Sequence, residues 1–450
     1  MNDAPASGNK AAAEAPPVPG GHMGLIARFG PSLVLVLAFA ALALLRHANL
    51  ELYFQFQQWT DHAADYTPFV DIQAILQAES CWQQGVNVYA PSACMGGGFF
   101  NYSPFLLWLM HLPLSGADAV PAAIITGLLF IASLTLLPAV QSVQELWVRL
   151  AVIISPATLY ALERANLDAT IFAICMLAGW LLGRNLLLRM LGYGLILLVA
   201  LAKFYPVFAL ISIIRERTFV FVTAAATCFG LLLLGLLVFK AQTSSALAII
   251  PQGWPFGGLF GSINIPYGIR VLRAPGDFFG GMHLFKYNFT WFDIALFTLL
   301  RLGALLLFVT TIPLYRDHLP PLRSHAMGLF VIGAAILVGC FFTVQSANYR
   351  EIFFILTVPG LSLMAATCAP ELQRRMHIII AAVVFTLWQP FVRGILFAGL
   401  GLFANYDALG FPQFIFWLCR ELLFWWLMIQ FAAIIAASVL PELRPWRVRR

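Results

Sequence analysis

Long apolar runs alternate with short polar segments along almost the whole chain after residue 24. Several runs are too short to cross a bilayer alone, because a transmembrane helix needs about 20 apolar residues. Short basic segments separate the runs, and cytoplasmic loops carry the excess of Arg and Lys in membrane proteins. The pattern predicts an all-α polytopic membrane protein. The basic segments that serve as cytoplasmic fixed points are 184–189, 215–217, 316–323, 374–375 and 444–450.

These fixed points determine the number of spans if the amino terminus is also cytoplasmic. All of these basic segments lie on the cytoplasmic side only if the short run 103–115 does not cross the membrane. We therefore predict that this run forms a surface helix at the outer face. The stretch 190–214 must then cross twice, with its outer turn at residues 203–206, where Pro206 ends a helix at low cost. We predict about twelve transmembrane helices, within a range of 11–13, with both termini cytoplasmic.

The same topology predicts one transmembrane domain, residues 24–440, between two tails. Residues 1–23 are rich in Ala, Pro and Gly and are expected to form a disordered cytoplasmic tail, and residues 441–450 a basic cytoplasmic tail. Residues 47–118 form the first outer loop, which carries surface helices. Residues 240–291 form a second outer loop, whose length favours a lid or an interfacial role.

The composition excludes a soluble protein, since 61% of residues are hydrophobic, 10% are charged and the mean hydropathy is +0.85. The net charge of +6 resides mostly in short loops, so membrane orientation explains it and a nucleic-acid partner is not expected. The chain lacks the motifs of nucleotide hydrolases and zinc enzymes. Only Cys81 and Cys94 share a loop, and two interpretations stay open: a disulfide in an oxidising compartment, or two free thiols.

Four carboxylates of the first outer loop gather within residues 61–79, namely Asp61, Asp65, Asp71 and Glu79. Asp71 is the strongest candidate for a general base, because residues 71–82 predict an amphipathic helix whose amino-terminal end favours an ionised acid able to accept a proton. Asp61 and Asp65 are the fallback bases, and Glu79 is expected to be structural. For each of them the plain alternative is a carboxylate that merely solvates the loop.

Three cations lie at the outer ends of different predicted spans, namely Arg164, Lys203 and Arg350. They are suited to hold a phosphate of a lipid carrier. The alternative is that each side chain only reaches towards the interface. For Arg164 this alternative is weaker, because the turn around it is strongly polar. Its polar neighbours are Glu163, Asn166 and Asp168.

Short polar motifs follow one another in order through the first 370 residues. After Asp71 they are 85–89, 101–104, 163–168, 201–206 and 348–353. In order and spacing they resemble the family 87 glycosyltransferases, polytopic membrane enzymes of the C-type fold. Two positions depart from that family's pattern: Ala165 stands where Gly is commoner in an Arg-Gly-Asn sequence, and Ser103 replaces the first member of a Pro pair.

The resemblance implies an inverting transfer of one sugar, mannose or another hexose or pentose, from a polyprenyl-phosphate donor to a lipid or glycan acceptor. The reaction would take place on the extracytoplasmic face of the cell (inner) membrane, among membrane lipids, with no nucleotide sugar, cofactor or divalent metal. By the same resemblance Asp71 is the catalytic base, and Lys203 and Arg350 face the donor phosphate. The C-type fold also has a surface helix in the first outer loop. The expected substrate-binding residues are Asn101, Tyr102, Glu163, Arg164, Asn166, Asp168, Lys203, Tyr205, Tyr349 and Arg350.

Two other functions remain as alternatives. A transporter or flippase of a lipid-linked or small solute requires polar residues at mid-membrane, and Arg301, inside a predicted span, is the feature that favours it. An O-antigen ligase or polymerase is expected to place its key charges in a large late outer loop. The polar residues here gather at one face and the carboxylates come early, which favours the glycosyltransferase.

Overall fold

A computed structural model describes most of the chain, and both predicted tails lie largely outside it. Its first helix begins at His22, within two residues of the predicted end of the amino-terminal tail. Asp61 and Asp65 lie outside the described residues. The described residues are 22–60, 68–109, 111, 115–249, 253, 255–273, 290–316, 319–343, 345–399 and 410–443.

Helices make up almost all of the regular structure. The α-helices are α1 (His22–Ala48), α2 (Leu50–Trp59), α3 (Val70–Gln83), α4 (Pro104–Leu109), α5 (Ala119–Ser133), α6 (Val143–Ile153), α7 (Pro156–Glu163), α8 (Leu167–Leu182), α9 (Leu186–Ala202), α10 (Thr218–Val238), α11 (Lys240–Ala248), α12 (Asn264–Arg273), α13 (Trp291–Thr311), α14 (His325–Thr343), α15 (Phe354–Thr367), α16 (Pro370–Gly399) and α17 (Phe411–Leu443). Short 3-10 helices cover Gly116–Asp118, Leu134–Leu136, Tyr205–Arg215, Ile312–Leu314 and Asn348–Phe353. Two short strands, β1 (Leu259–Phe260) and β2 (Ser346–Ala347), pair antiparallel, with Leu259 opposite Ala347.

Eight helical segments of the described chain are long and apolar enough to cross a membrane. The pair α6 and α7, bent by 42° between Ile153 and Pro156, adds a ninth if it acts as one span. The chain is therefore a helical polytopic membrane protein, as its sequence predicts. The eight segments are Arg28–Ala48, Gly116–Leu136, Thr218–Val238, Trp291–Leu314, His325–Thr343, Asn348–Thr367, Pro370–Phe397 and Phe411–Leu440.

Helix α14 lies at the centre of the bundle, where it packs against α15, α17, α8 and the 3-10 helix Tyr205–Arg215. Buried residues make up 72% of its apolar stretch, against 11% for α10 and for the segment that contains α13. A helix that is apolar all round is buried in protein or faces lipid. The helices α10 and α13 therefore present large apolar side chains outwards, where lipid is their natural neighbour.

Two local features agree with the predicted pattern of helices, whereas the side of the membrane on which they lie stays a prediction. Helix α4, the helix that the structure describes within the run 103–115, has 6 residues, far fewer than the about 20 that a span requires. The predicted turn at residues 203–206 is also present, because α9 ends at Ala202 and a 3-10 helix begins at Tyr205. Of the two interpretations left open for the cysteines, the structure has the disulfide between Cys81 and Cys94, with their Cα atoms 6.0 Å apart.

Close packing of α14 against α15 depends on Gly333. A Cβ atom there would lie 2.6 Å from Leu356 Cβ and 2.8 Å from the Phe353 carbonyl oxygen, and backbone cannot easily yield. We expect Gly333→Ala to lower the free energy of unfolding by about 1–3 kcal/mol. Thermal unfolding in detergent, followed by size-exclusion chromatography, measures the loss. Gly303→Ala is the matched control, since a Cβ atom there meets nothing within 4 Å; equal midpoints for the two variants would contradict the packing.

Candidate active site

The turn between α7 and α8 holds the start of α3 by its backbone. The Phe69 amide donates to the Glu163 carbonyl at 2.9 Å, and the Asp71 amide donates to the Arg164 carbonyl at 3.2 Å. Ala165, at the apex of this turn, has a φ of 47°, in the left-handed region that favours glycine. A backbone requirement thus explains why glycine suits this position in an Arg-Gly-Asn sequence. Here alanine accepts the strain and is itself 1% exposed.

Asp71 lies in the first turn of α3, as predicted. Its carboxylate is bound by side chains of the turn between α7 and α8. Arg164 donates to both of its oxygens, from Nη2 to Oδ1 at 2.8 Å and from Nε to Oδ2 at 3.0 Å. The side-chain amide of Asn166 donates from Nδ2 to Oδ2 of Asp71 at 2.5 Å. Such a two-pronged contact fixes the orientation of a carboxylate as well as its charge. Asp71 is still 15% exposed, so one edge of it stays accessible.

Asp168 gathers three groups from different parts of the chain. Its carboxylate is fully buried in the first turn of α8, whose amino terminus Asn166 caps through its side-chain oxygen. The Lys203 ammonium donates to Oδ1 at 2.5 Å, and the Tyr205 hydroxyl donates to the same oxygen at 2.9 Å. Arg350 Nε lies 3.5 Å from Oδ2. Asp168 therefore sets the positions of Lys203 and Arg350, two of the three cations that the sequence suggested for a phosphate.

Aromatic rings surround the Lys203 ammonium, which lies 4.8 Å from the ring centre of Tyr102 and 5.8 Å from those of Tyr205 and Tyr349. Burial lowers the pKa of Lys203, and the charge of Asp168 opposes that effect. Burial also raises the pKa of Tyr102 well above its usual value, with a further rise from the charge of Asp71. Tyr102 therefore stays a neutral phenol that is able to donate a hydrogen bond.

A cavity of about 270 Å³ opens beside these groups, and we call it the cationic cavity. Within the described chain, two guanidinium nitrogens of Arg350, Nε and Nη1, are buried and have no hydrogen-bond partner, although Nε lies 3.5 Å from Asp168 Oδ2. Buried polar atoms are normally paired, so such a donor indicates a ligand site. Six of the ten expected substrate-binding residues line the cavity, namely Asn101, Tyr102, Lys203, Tyr205, Tyr349 and Arg350.

An apolar groove of about 320 Å³ adjoins the cationic cavity. The two share Phe204 and Val207 in their walls. Helices α9 and α10 supply most of the groove, through side chains such as Leu201, Leu232 and Leu236. A charged chamber next to an apolar channel suits an amphiphilic ligand, whose head and tail need opposite environments.

The other expected binding residues do not line the cationic cavity. Arg164, Asn166 and Asp168 instead brace Asp71, Lys203 and Arg350, as described above. Glu163 accepts a hydrogen bond from the Tyr53 hydroxyl at 3.3 Å, and so ties α7 to α2. Glu79 is fully buried and accepts from Gln83 at 2.9 Å, which fits the structural role expected for it.

Sequence reasoning missed several residues of the cavity. Phe204 and Phe208 line it but look like any apolar residue beside a span. Gln345 lines it too, and donates to Asn264 at 2.9 Å, which in turn donates to buried Glu421 at 3.2 Å. This chain of polar contacts ties the segment after β1 to α17. Its signal in the sequence is the charged pair Arg420-Glu421 inside an apolar run.

Two further predictions concern Arg301 and metal ions. Arg301 is exposed on α13 and donates to the Phe342 carbonyl at 3.2 Å. In the part of the chain that the structure describes, no three His, Cys, Asp or Glu side chains gather in a way that could hold a metal ion. That no metal is needed stays a prediction.

No protein-family model matches the chain, and neither does any curated protein sequence or solved structure. The resemblance to family 87 glycosyltransferases therefore stays a prediction that the site itself must support.

Replacing Asp168 by Asn should destabilise the protein, because it leaves the buried Lys203 and the largely buried Arg350 without their shared anion. Breaking a buried pair of this kind costs about 3–5 kcal/mol. The loss should shrink as the pH rises. Without Asp168 the pKa of Lys203 falls further below that of the unfolded chain, so the unfolded state binds more protons and stability rises with pH.

The measurement is thermal unfolding of Asp168→Asn in detergent between about pH 7 and about pH 10, the upper limit being near the ordinary pKa of lysine. Glu371→Gln, an exposed carboxylate in the first turn of α16, is the control. If the loss of thermal stability in Asp168→Asn stays constant over this pH range, the role given to Lys203 is contradicted.

Proposed function

We propose that this protein is a membrane glycosyltransferase that takes one sugar from a polyprenyl-phosphate donor and passes it to a lipid or glycan acceptor. The observation that carries the proposal is the Arg350 guanidinium, which has two unpaired nitrogens and lines, together with Lys203, a cavity beside an apolar groove. A phosphate on a long hydrocarbon chain satisfies both environments at once.

The charge at the cavity supports a phosphate ligand. Lys203 and Arg350 bring two positive charges to the single negative charge of Asp168, so one positive charge is left over. A guanidinium and an ammonium together form a strong set of hydrogen-bond donors for phosphate oxygens. A leaving phosphate gains negative charge during the reaction, and fixed cations in a dry site stabilise that change most.

Asp71 is the proposed base. It takes the proton from an acceptor hydroxyl as that oxygen bonds to the anomeric carbon, while the bond from that carbon to the phosphate oxygen breaks and its electron pair leaves with the phosphate. Attack from the face opposite the phosphate inverts the anomeric centre. Asp71 does not line the cationic cavity, but its charge acts on Tyr102 and Tyr349, which do. Arg164 and Asn166 hold its carboxylate in one orientation for this step.

The proposal includes the finer topology. The eight long helices, the bent pair α6–α7 and the three shorter apolar helices α8, α9 and Tyr205–Arg215 would together give twelve spans of a C-type fold. Both termini are then cytoplasmic and the cationic cavity faces the extracytoplasmic side of the inner membrane, where the protein would serve envelope synthesis. The disulfide between Cys81 and Cys94 supports that side, since disulfides persist in oxidising compartments.

Removing the Arg350 charge should weaken binding of the lipid phosphate. For Arg350→Gln we expect a loss of about tenfold or more in affinity for undecaprenyl phosphate, since a hydrogen bond to a charged group contributes about 1.5–3 kcal/mol. Binding to the purified protein in detergent is measured by native mass spectrometry. Arg374→Gln is the control, because Arg374 is an exposed arginine near the start of α16. Equal affinities for the two variants would remove the main support for the proposal.

Removing the proposed base should stop the chemistry and spare the binding. We expect Asp71→Asn to lower the transfer rate by about 10²–10⁴-fold, the usual contribution of a general base, while undecaprenyl phosphate still binds. The assay incubates purified protein with a panel of radiolabelled polyprenyl-phosphate sugars and identifies the donor that is consumed. Glu51→Gln, in the first turn of α2, is the control.

Two results of this assay would overturn parts of the proposal. Full transfer by a folded Asp71→Asn protein would move the base to Asp61 or Asp65. Consumption of no donor by the unmodified protein would favour the transporter or flippase instead.

A further inference from the structure

A second cavity, of about 370 Å³, lies on the other side of α11 from the cationic cavity. Its walls come from the end of α3 and the loop after it, and from one face of α11. Asn87, Gln242 and Ser245 supply amide and hydroxyl groups, and Trp82 and Tyr89 supply aromatic rings. No charged side chain is among the described residues that line it. We call it the neutral cavity.

The loop after α3, which forms one wall of the neutral cavity, owes its shape to its local sequence. Gly85 has a φ of 79°, which allows the chain to turn sharply after α3 and donate from its amide to the Trp82 carbonyl at 2.9 Å. The next turn places Asn87, whose side-chain oxygen accepts from the Tyr89 amide at 3.1 Å. That contact leaves the two amide hydrogens of Asn87 for another partner. The disulfide at Cys81 closes the same loop.

Tyr89 is the observation that points to a ligand. Its side chain is 5% exposed, and within the described chain its hydroxyl has no hydrogen-bond partner. Burying a hydroxyl without a partner costs free energy, and tyrosines in protein interiors almost always pair it. The ring belongs to a cavity that also holds an accessible tryptophan and two carboxamides. The site therefore offers accessible carboxamides beside a buried hydroxyl that has no partner among the described residues.

The chemistry of the lining selects a class of ligand. Carboxamides both donate and accept, so they match neighbouring hydroxyl groups, which do the same. An aromatic ring with one open face packs against the C–H faces of a pyranose. The absence of charge among the described lining residues gives a phosphate nothing to pair with, in contrast to the cationic cavity. Together these features fit a neutral sugar.

We propose that the neutral cavity binds an uncharged saccharide, the glycan part of the acceptor. That the saccharide belongs to the acceptor rests on the proposed function, whereas the binding of a saccharide in this cavity does not. Edge-to-face ring contacts link the cavity to the donor side: Trp82 to Tyr89 at 6.2 Å between ring centres, and Tyr89 to Phe100 at 5.9 Å. Phe100 contacts Tyr102, which lines the cationic cavity, at 5.3 Å. A continuous row of aromatic rings therefore joins the two cavities.

Saturation-transfer NMR on the purified protein, without any donor, tests the inference. The probes are methyl α-mannopyranoside, methyl α-glucopyranoside and methyl β-galactopyranoside. Tyr89→Phe removes only the unpaired hydroxyl, and we expect a loss of about two- to tenfold in affinity, as for one hydrogen bond. Trp82→Ala should abolish the signal. Trp147→Ala is the matched control, because Trp147 is 68% exposed on α6 and is not part of this lining.

Arg350→Gln separates this inference from the proposed function. Saturation of at least one glycoside that survives in Arg350→Gln and Trp147→Ala, and falls in both Tyr89→Phe and Trp82→Ala, supports the saccharide site even if no donor sugar is ever transferred. The inference is overturned if none of the three glycosides is saturated by the unmodified protein, or if Tyr89→Phe and Trp82→Ala leave the saturation unchanged.

Discussion

The buried carboxylate of Asp168 is the constraint on which the site depends. An isolated anion in a dry interior is very costly, so it must collect partners. It draws Lys203 and Tyr205 from the break after α9 and Arg350 from the 3-10 helix before α15. Two cations around one anion leave a positive charge that the protein does not neutralise locally. Burial of the Asp168 charge therefore leaves an excess positive charge beside the cationic cavity.

Three chemical environments meet around that cavity. The cationic cavity shares Phe204 and Val207 with an apolar groove, and α11 contributes Leu247 to the cationic cavity, Thr243 to the groove, and Gln242 and Ser245 to the neutral cavity. A lipid-linked sugar and its acceptor require a place for a phosphate, a hydrocarbon chain and a glycan. The three neighbouring environments bring together polar motifs that are spread over almost 300 residues of the chain.

Much of the local structure could be predicted from the sequence, because its causes are local. An acid at the start of an amphipathic stretch predicted Asp71 in the first turn of α3, and a proline after Lys203 predicted the break there. The pairing of Arg164 with Asp71 and of Lys203 with Asp168 could not be predicted, because these residues are 93 and 35 positions apart and only packing brings them together. Nor do Phe204 and Phe208 differ in sequence from residues that face lipid.

The central claim is that the cationic cavity and the apolar groove together bind a polyprenyl phosphate. The most direct test is a cryo-electron microscopy structure of the purified protein with undecaprenyl phosphate. The account predicts phosphate density within hydrogen-bonding distance of the Arg350 guanidinium and the Lys203 ammonium, with the hydrocarbon chain running past Phe204 between α9 and α10. Phosphate density elsewhere in the protein, with the cationic cavity left empty, would contradict it.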